Sequence, residues 1–253
     1  GDPHMVHADA MAVISELGKI PLVLHQYSNL AVFSPAMCAA ADYLVLFSRA
    51  FERLWAHRGV YTGHVVEGGY VFDGAFARVR DRARELRANL EAVGARTVLC
   101  YFDESVQTDR YGVISEAHHR DEILALVTKL LEHPEWGLVV KTQFEFNSPS
   151  KRYGNEPAFR EALRTGRYVE LLRGAHRNVV FPAEAALASD VSIGHIVGAT
   201  APLEAALAGV RSVMIDSYRQ VRHRRELYDR APIVFPSMRE ALAAVERWRA
   251  GDP

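Results

Sequence analysis

Short apolar runs and amphipathic stretches alternate along almost the whole chain. The apolar runs predict strands at Pro21–Gln26, Tyr43–Phe47, His64–Glu67, Thr97–Phe102, Gly137–Lys141, Tyr168–Leu171, Asn178–Phe181, Asp190–Ile193, Ser212–Ile215 and Ile233–Phe235. Many are uninterrupted and rich in β-branched residues, as parallel strands covered on both faces are. Between them, the pattern predicts helices over Val79–Val93, His119–Leu131, Pro157–Leu163, Ala183–Ala188, Ala201–Ala208, Gln220–Asp229 and Met238–Trp248. The last opens with a capping box, Ser237 and Glu240, and carries an apolar stripe through Leu242, Val245 and Trp248. The repeated strand-then-helix order predicts an α/β fold built on a doubly wound parallel sheet.

A boundary is expected between Gly74 and Arg96. The helix there, FARVRDRARELRANLEAVG, alternates in charge and has only a narrow apolar stripe, so residues 78–95 read as a linker helix. Beyond it, residues 96–253 hold a complete Rossmann-like strand set of ordinary domain size. Before it, residues 6–77 supply too few strands for an equally independent sheet and read as a partial N-terminal α/β portion. Residues 1–5, Gly-Asp-Pro-His-Met, look like a cloning remnant.

Composition narrows the function classes. The 253 residues are 49% hydrophobic, ample for a core. With 30 basic and 31 acidic residues the net charge is −1, which gives no electrostatic footprint for nucleic acid or a strongly anionic membrane. Cys38 and Cys100 sit in apolar surroundings without metal or redox spacing and read as buried thiols of a reducing compartment. No membrane span or signal peptide is visible, so a cytoplasmic protein is expected. His118 and His119 lack partners at metal-ligand spacing and the other histidines are scattered, so no metal is expected. The basic run Arg219–Arg225 reads as a solvated helix face.

The segment NVVFPAEAALASDVSIGHIVGATAPLEAALAGVRSVMID, from Asn178 to Asp216, is the most informative. An apolar strand ends in Gly194-His195, and a helix follows with Thr200 as its expected N-cap, Pro202 in the first turn and Glu204 behind it. A helix N-terminus beyond the carboxyl end of a parallel strand offers free N–H donors to an anion, at the edge where open α/β sheets gather ligands. His195 sits at that strand end, where its imidazole would meet a ligand. Lys141 ends another apolar strand at the same edge, where a cation neutralises a diphosphate or carboxylate. Asp103 and Glu104 close the first strand of the complete sheet, ahead of a long polar loop, and either carboxylate is placed for proton transfer or nucleophilic attack. His25 ends the first strand of the N-terminal portion, on the opposite flank of the expected cleft, and is a third candidate for the catalytic chemistry.

Three stretches, GLVVKTQ ending β-pattern at Lys141, HRNVVFPAEAALASDVSIG and GATAPLEAALAGVRSVMID, resemble the C-terminal donor-binding domain of GT-B glycosyltransferases. The likeness is to bacterial enzymes of surface-polysaccharide assembly and covers roughly residues 20 to 245. Asp190 opens a strand, Gly198-Ala199-Thr200 forms a small-residue turn, Glu204-Ala205-Ala206 starts a helix, and Gly209 precedes the next strand. The resemblance implies donor binding by Lys141, Gln143, His195, Gly198, Thr200 and Glu204, the last accepting from ribose or sugar hydroxyls. It implies a nucleotide-sugar co-substrate without further cofactor, a CMP-linked acidic sugar first among donors, and a glycan or glycolipid acceptor. Peripheral association with membrane-bound assembly enzymes follows from the same likeness. Many relatives carry a Lys-Pro-His-Pro-like segment where this chain has Lys141-Thr142-Gln143-Phe144, so the donor is left open. Rival functions on the same fold are a UDP-sugar 2-epimerase, a polyol-phosphate transferase and a non-catalytic nucleotide-binding or scaffold module.

Overall fold

The computed structural model describes residues 7–26, 39–56, 60–103, 114–142, 148–172, 181–196, 199–217 and 233–251. The chain divides into two compact units, Gly1–Asp73 and Gly74–Pro253.

The first unit carries helix α1 (His7–Gly18), strands β1 (Val23–His25) and β2 (Ala39–Leu46), the short helix α2 (Glu52–Ala56) and strand β3 (Val60–Glu67). The strands form one parallel sheet in the order β1-β2-β3. Its core is Leu44, Leu46, Trp55 and Val60. Pairing of Ala39 with Val60 and Ala41 with Thr62 starts β2 and β3 earlier than the apolar pattern does, because small and polar residues join a ladder without leaving a hydrophobic signal. Helix α1 was not expected; Met11, Ile14 and Leu17 are exposed, so it presents no buried stripe to read.

The second unit is an α/β layer structure. Helix α3 (Gly74–Ala92) leads into β4 (Thr97–Phe102), α4 (Glu116–Glu132), β5 (Trp136–Lys141), α5 (Pro149–Tyr153), α6 (Pro157–Arg164) and β6 (Tyr168–Leu171). Then come α7 (Pro182–Leu187), β7 (Val191–His195), α8 (Thr200–Leu207), β8 (Arg211–Ile215), β9 (Val234–Phe235) and α9 (Met238–Arg249). The six strands are parallel in the order β6-β5-β4-β7-β8-β9. Counted from β4, that is the 3-2-1-4-5-6 order of the Rossmann fold.

Both faces of this sheet are covered, which explains the unbroken apolar runs of β4 and β5. Leu99, Tyr101, Leu138, Val140, Val191 and Ile193 pack on one face with Ile123, Leu126 and Leu130 of α4, Phe159 of α6 and Leu242 of α9. Val98, Cys100, Phe102 and Val139 pack on the other with Leu90 of α3, Ala185 and Ala186 of α7 and Ala205 of α8.

Helix α3 belongs to this unit. It buries Ala75, Val79, Ala83 and Leu90. Arg87 donates to Asp190 Oδ2 at 2.8 Å, and the same oxygen accepts from the Val98 backbone N–H at 2.7 Å. The charged positions expected to mark a linker thus include a tie between helix and sheet. At the far end of α4, Arg167 Nη1 donates to the carbonyls of Leu130, His133 and Trp136 at 3.1, 2.8 and 2.6 Å.

Two glycines are required by geometry. Gly209 follows α8 at φ +86°, the left-handed conformation of a helix C-terminus. A Cβ on Gly194 would lie 2.5 Å from Pro202 Cγ, so its bare backbone lets β7 and α8 approach. Residues 178–180 of one expected strand, and the helix expected at Gln220–Asp229, lie outside the described residues. Among the described residues, no helix is long and apolar enough to cross a membrane.

Candidate functional site

In this strand order the connections turn in opposite directions from β4 and β7, and the crevice at their carboxyl ends is where open α/β sheets take ligands. Asp103 follows β4, and His195 ends β7. Helix α4 brings its first turns to the same place. Its N-cap, Ser115, accepts from the His118 backbone N–H at 3.2 Å, and His118, His119 and Glu122 lie in the turns that follow.

These elements assemble two carboxylate–histidine–tyrosine arrays. In the first, Asp103 Oδ1 lies 2.6 Å from His119 Nε2, and His119 Nδ1 lies 2.7 Å from the Tyr153 hydroxyl. The Asp103 and His119 side chains are fully buried. Asp103 Oδ2 is buried and has no hydrogen-bond partner among the described residues. In the second, Glu122 Oε2 lies 2.8 Å from His195 Nε2 and accepts from the Tyr101 hydroxyl at 3.0 Å. His118 Nε2 stands 3.0 Å from the other Glu122 oxygen.

The two carboxyls are pushed in opposite directions. Burial raises Asp103 above the ordinary carboxylate range, against the hydrogen bond from His119 and the charges of His119, His195 and Arg152. Burial also opposes ionisation of Glu122, but the hydrogen bond and charge of His195, with those of His118 and Tyr101, outweigh it and hold Glu122 below its ordinary value. Such divergence gives Asp103 the greater affinity for a proton while Glu122 stays an anion.

The other expected site residues are placed differently. Lys141 pairs in register with Phe102, so it shares the face that packs on α7, opposite Tyr101. There it donates to the Thr142 carbonyl, and its charge acts on Glu184. Thr200 is not the N-cap of α8: Ala199 holds that position at φ −56°, ψ 1°, without a side-chain cap, because the chain already turns helically there. Glu204 is buried, and its Oε1 accepts from the Ala183 backbone N–H at 2.8 Å. It caps α7, whose own N-cap residue, Phe181, has no side chain able to do so. Glu104, Gln143 and Gly198 lie outside the described residues. His25 ends β1 in the other unit, with its ring centroid 6.5 Å from that of Phe47.

His119, Glu122 and Tyr153 were missed as site residues. For the first two the signal was the spacing in His118-His119-Arg120-Asp121-Glu122, which puts Glu122 one helical turn from both histidines; Tyr153 had none. Among the described residues, Glu132, His133 and Glu246 could also bring three ligand atoms together. The Lys129 ammonium already reaches Glu132 and Glu246 at 2.8 Å each, so that cluster reads as an ion-pair network.

No family model and no curated protein matches the chain. Among solved structures, the chain is similar to Anabaena HepE in complex with UDP and glucose, at 16% identity and a TM-score of 0.46, over 83% of this chain and 56% of that one. It is also similar to a variant of the wall teichoic acid polymerase TagF, at 13% identity and a TM-score of 0.39, over 82% and 48%. The chain thus spans about half the length of each of these neighbours.

Proposed function

We propose that the chain is part of a GT-B-type glycosyltransferase that moves a sugar from a nucleotide-sugar donor to a surface-glycan or glycolipid acceptor. A cytoplasmic setting, beside membrane-bound assembly enzymes, goes with that reading. The observation that carries it is the pair of buried carboxylate–histidine arrays at the crevice between β4 and β7. Asp103 is suited to take the acceptor proton, and the Glu122–His195 pair to steady charge developing on the leaving phosphate. A CMP-linked acidic sugar is the first donor to test, followed by UDP-, GDP- and CDP-linked ones.

Calorimetric titration with CMP, UDP, GDP and CDP, then turnover with the matching sugar nucleotide, tests this. One nucleotide should bind saturably, and Asp103→Asn should leave its Kd in place while lowering turnover by about 100- to 10,000-fold. Absence of nucleotide binding, or full turnover in Asp103→Asn, would overturn the assignment. A second reading, a non-catalytic nucleotide-binding or scaffold module, is favoured by the internal engagement of Glu204 and Lys141. Saturable nucleotide binding without transfer or donor hydrolysis would support it.

A further inference from the structure

Both ring nitrogens of His119 are engaged, one with a carboxylate and one with a phenol. Burial raises the Tyr153 hydroxyl above its ordinary value, and Arg152 hydrogen-bonds to it, so the phenol keeps its own proton to direct at Nδ1. With the phenol as donor, Nε2 carries the imidazole proton and gives it to Asp103 Oδ1. His119 has no nitrogen left to accept a proton. Among the described residues, Asp103 Oδ2 is the atom of this array without a hydrogen-bond partner.

We propose that His119 and Tyr153 are positioning residues that fix Asp103 through the Nε2–H tautomer of His119, leaving Oδ2 as the atom that receives the acceptor's proton. This rests on the transfer reading above. In the step, the acceptor O–H bond breaks and its proton passes to Asp103 Oδ2. The electron pair left on oxygen forms the new bond to the anomeric carbon, and the donor's phosphate departs with the electrons of the old one. The titratable and charged groups facing Asp103 are His119 on α4, His195 at the end of β7, Arg152 and Tyr153 on α5, and Tyr168 on β6. A tautomer locked from both sides keeps the Asp103–His119 bond in one direction through the reaction.

Long-range proton–nitrogen NMR on protein with isotope-labelled histidine reads the tautomer without needing turnover, and loss of signals in His119→Gln assigns the residue. His119 should show an unprotonated Nδ1 and a protonated Nε2 in the folded protein. Tyr153→Phe should release the lock, giving mixed tautomers or protonation of Nδ1 under the same conditions. It should also shift the acid limb of kcat/KM while leaving nucleotide Kd unchanged. A protonated Nδ1 in the unmodified protein, or a Tyr153→Phe spectrum identical to it, overturns the proposal. Nucleotide titration of the same samples tests the transfer reading separately: a locked tautomer without nucleotide binding would retain the array and remove its assigned reaction.

Discussion

Replacing Glu204 separates a ribose contact from a structural cap. Its carboxylate reaches Ala183 N–H, a fully buried donor in the first turn of α7. Glu204→Ala leaves that donor without its carboxylate. A charge-assisted hydrogen bond contributes about 1.5–3 kcal/mol, and a stranded buried N–H costs a similar amount, so the loss should be about 2–3 kcal/mol. For a domain of this size that lowers Tm by about 5–10 °C. Glu204→Gln keeps an acceptor oxygen but gives up the charge at the helix N-terminus, and should recover most of the loss, short by about 1 kcal/mol. Differential scanning calorimetry on the two variants measures this, with nucleotide titration alongside. An unchanged Tm in Glu204→Ala, together with abolished nucleotide binding in both variants, would refute the capping argument and restore the ribose role.

Asp103 makes stability depend on pH in a defined direction. Its folded carboxyl is raised by burial, so its contribution is full below the unfolded value and is lost as pH rises through the folded one. Asp103→Asn should therefore gain stability relative to the unmodified protein as pH rises; thermal melts across mildly acid to mildly alkaline buffers would show the gap widening, and a constant gap would contradict the buried charge. Gly194→Ala puts a Cβ 2.5 Å from Pro202 Cγ. The forced separation of β7 and α8 should cost about 1–3 kcal/mol by denaturant unfolding; an unaffected midpoint would mean the contact is loose.

Much of the fold was legible because burial on both sheet faces writes itself into sequence. Thr97–Phe102 and Tyr168–Leu171 match their predicted ends, and the apolar run of the first stops at Asp103 as its ladder does. Asp103 and His195 stood out as polar residues at strand ends. Their partners did not, because Asp103–His119 and Glu122–His195 join residues 16 and 73 positions apart. Which face of α4 meets the sheet decides those pairings, and helical spacing alone leaves it open. The side that Lys141 faces was hidden for a related reason: strand parity turns it toward α7, whereas its position at the sheet edge says nothing about side. The bond from Ala183 to Glu204 was hidden as well, because it depends on a neighbouring helix that lacks a side-chain cap of its own.

The three carbonyls gathered by Arg167 have a mechanical consequence for the crevice. They hold the Leu130 end of α4, remote from His119 and Glu122, so any tilt of the helix about that end would be magnified at the crevice. At 1.5 Å per residue, the arm from Leu130 to His119 is about 16 Å long, and a tilt of about 5° at that end would move His119 by roughly 1.4 Å. A hydrogen bond does not survive such a displacement. Surveys for residues that tune this crevice should therefore sample its anchor at Arg167 as closely as its rim.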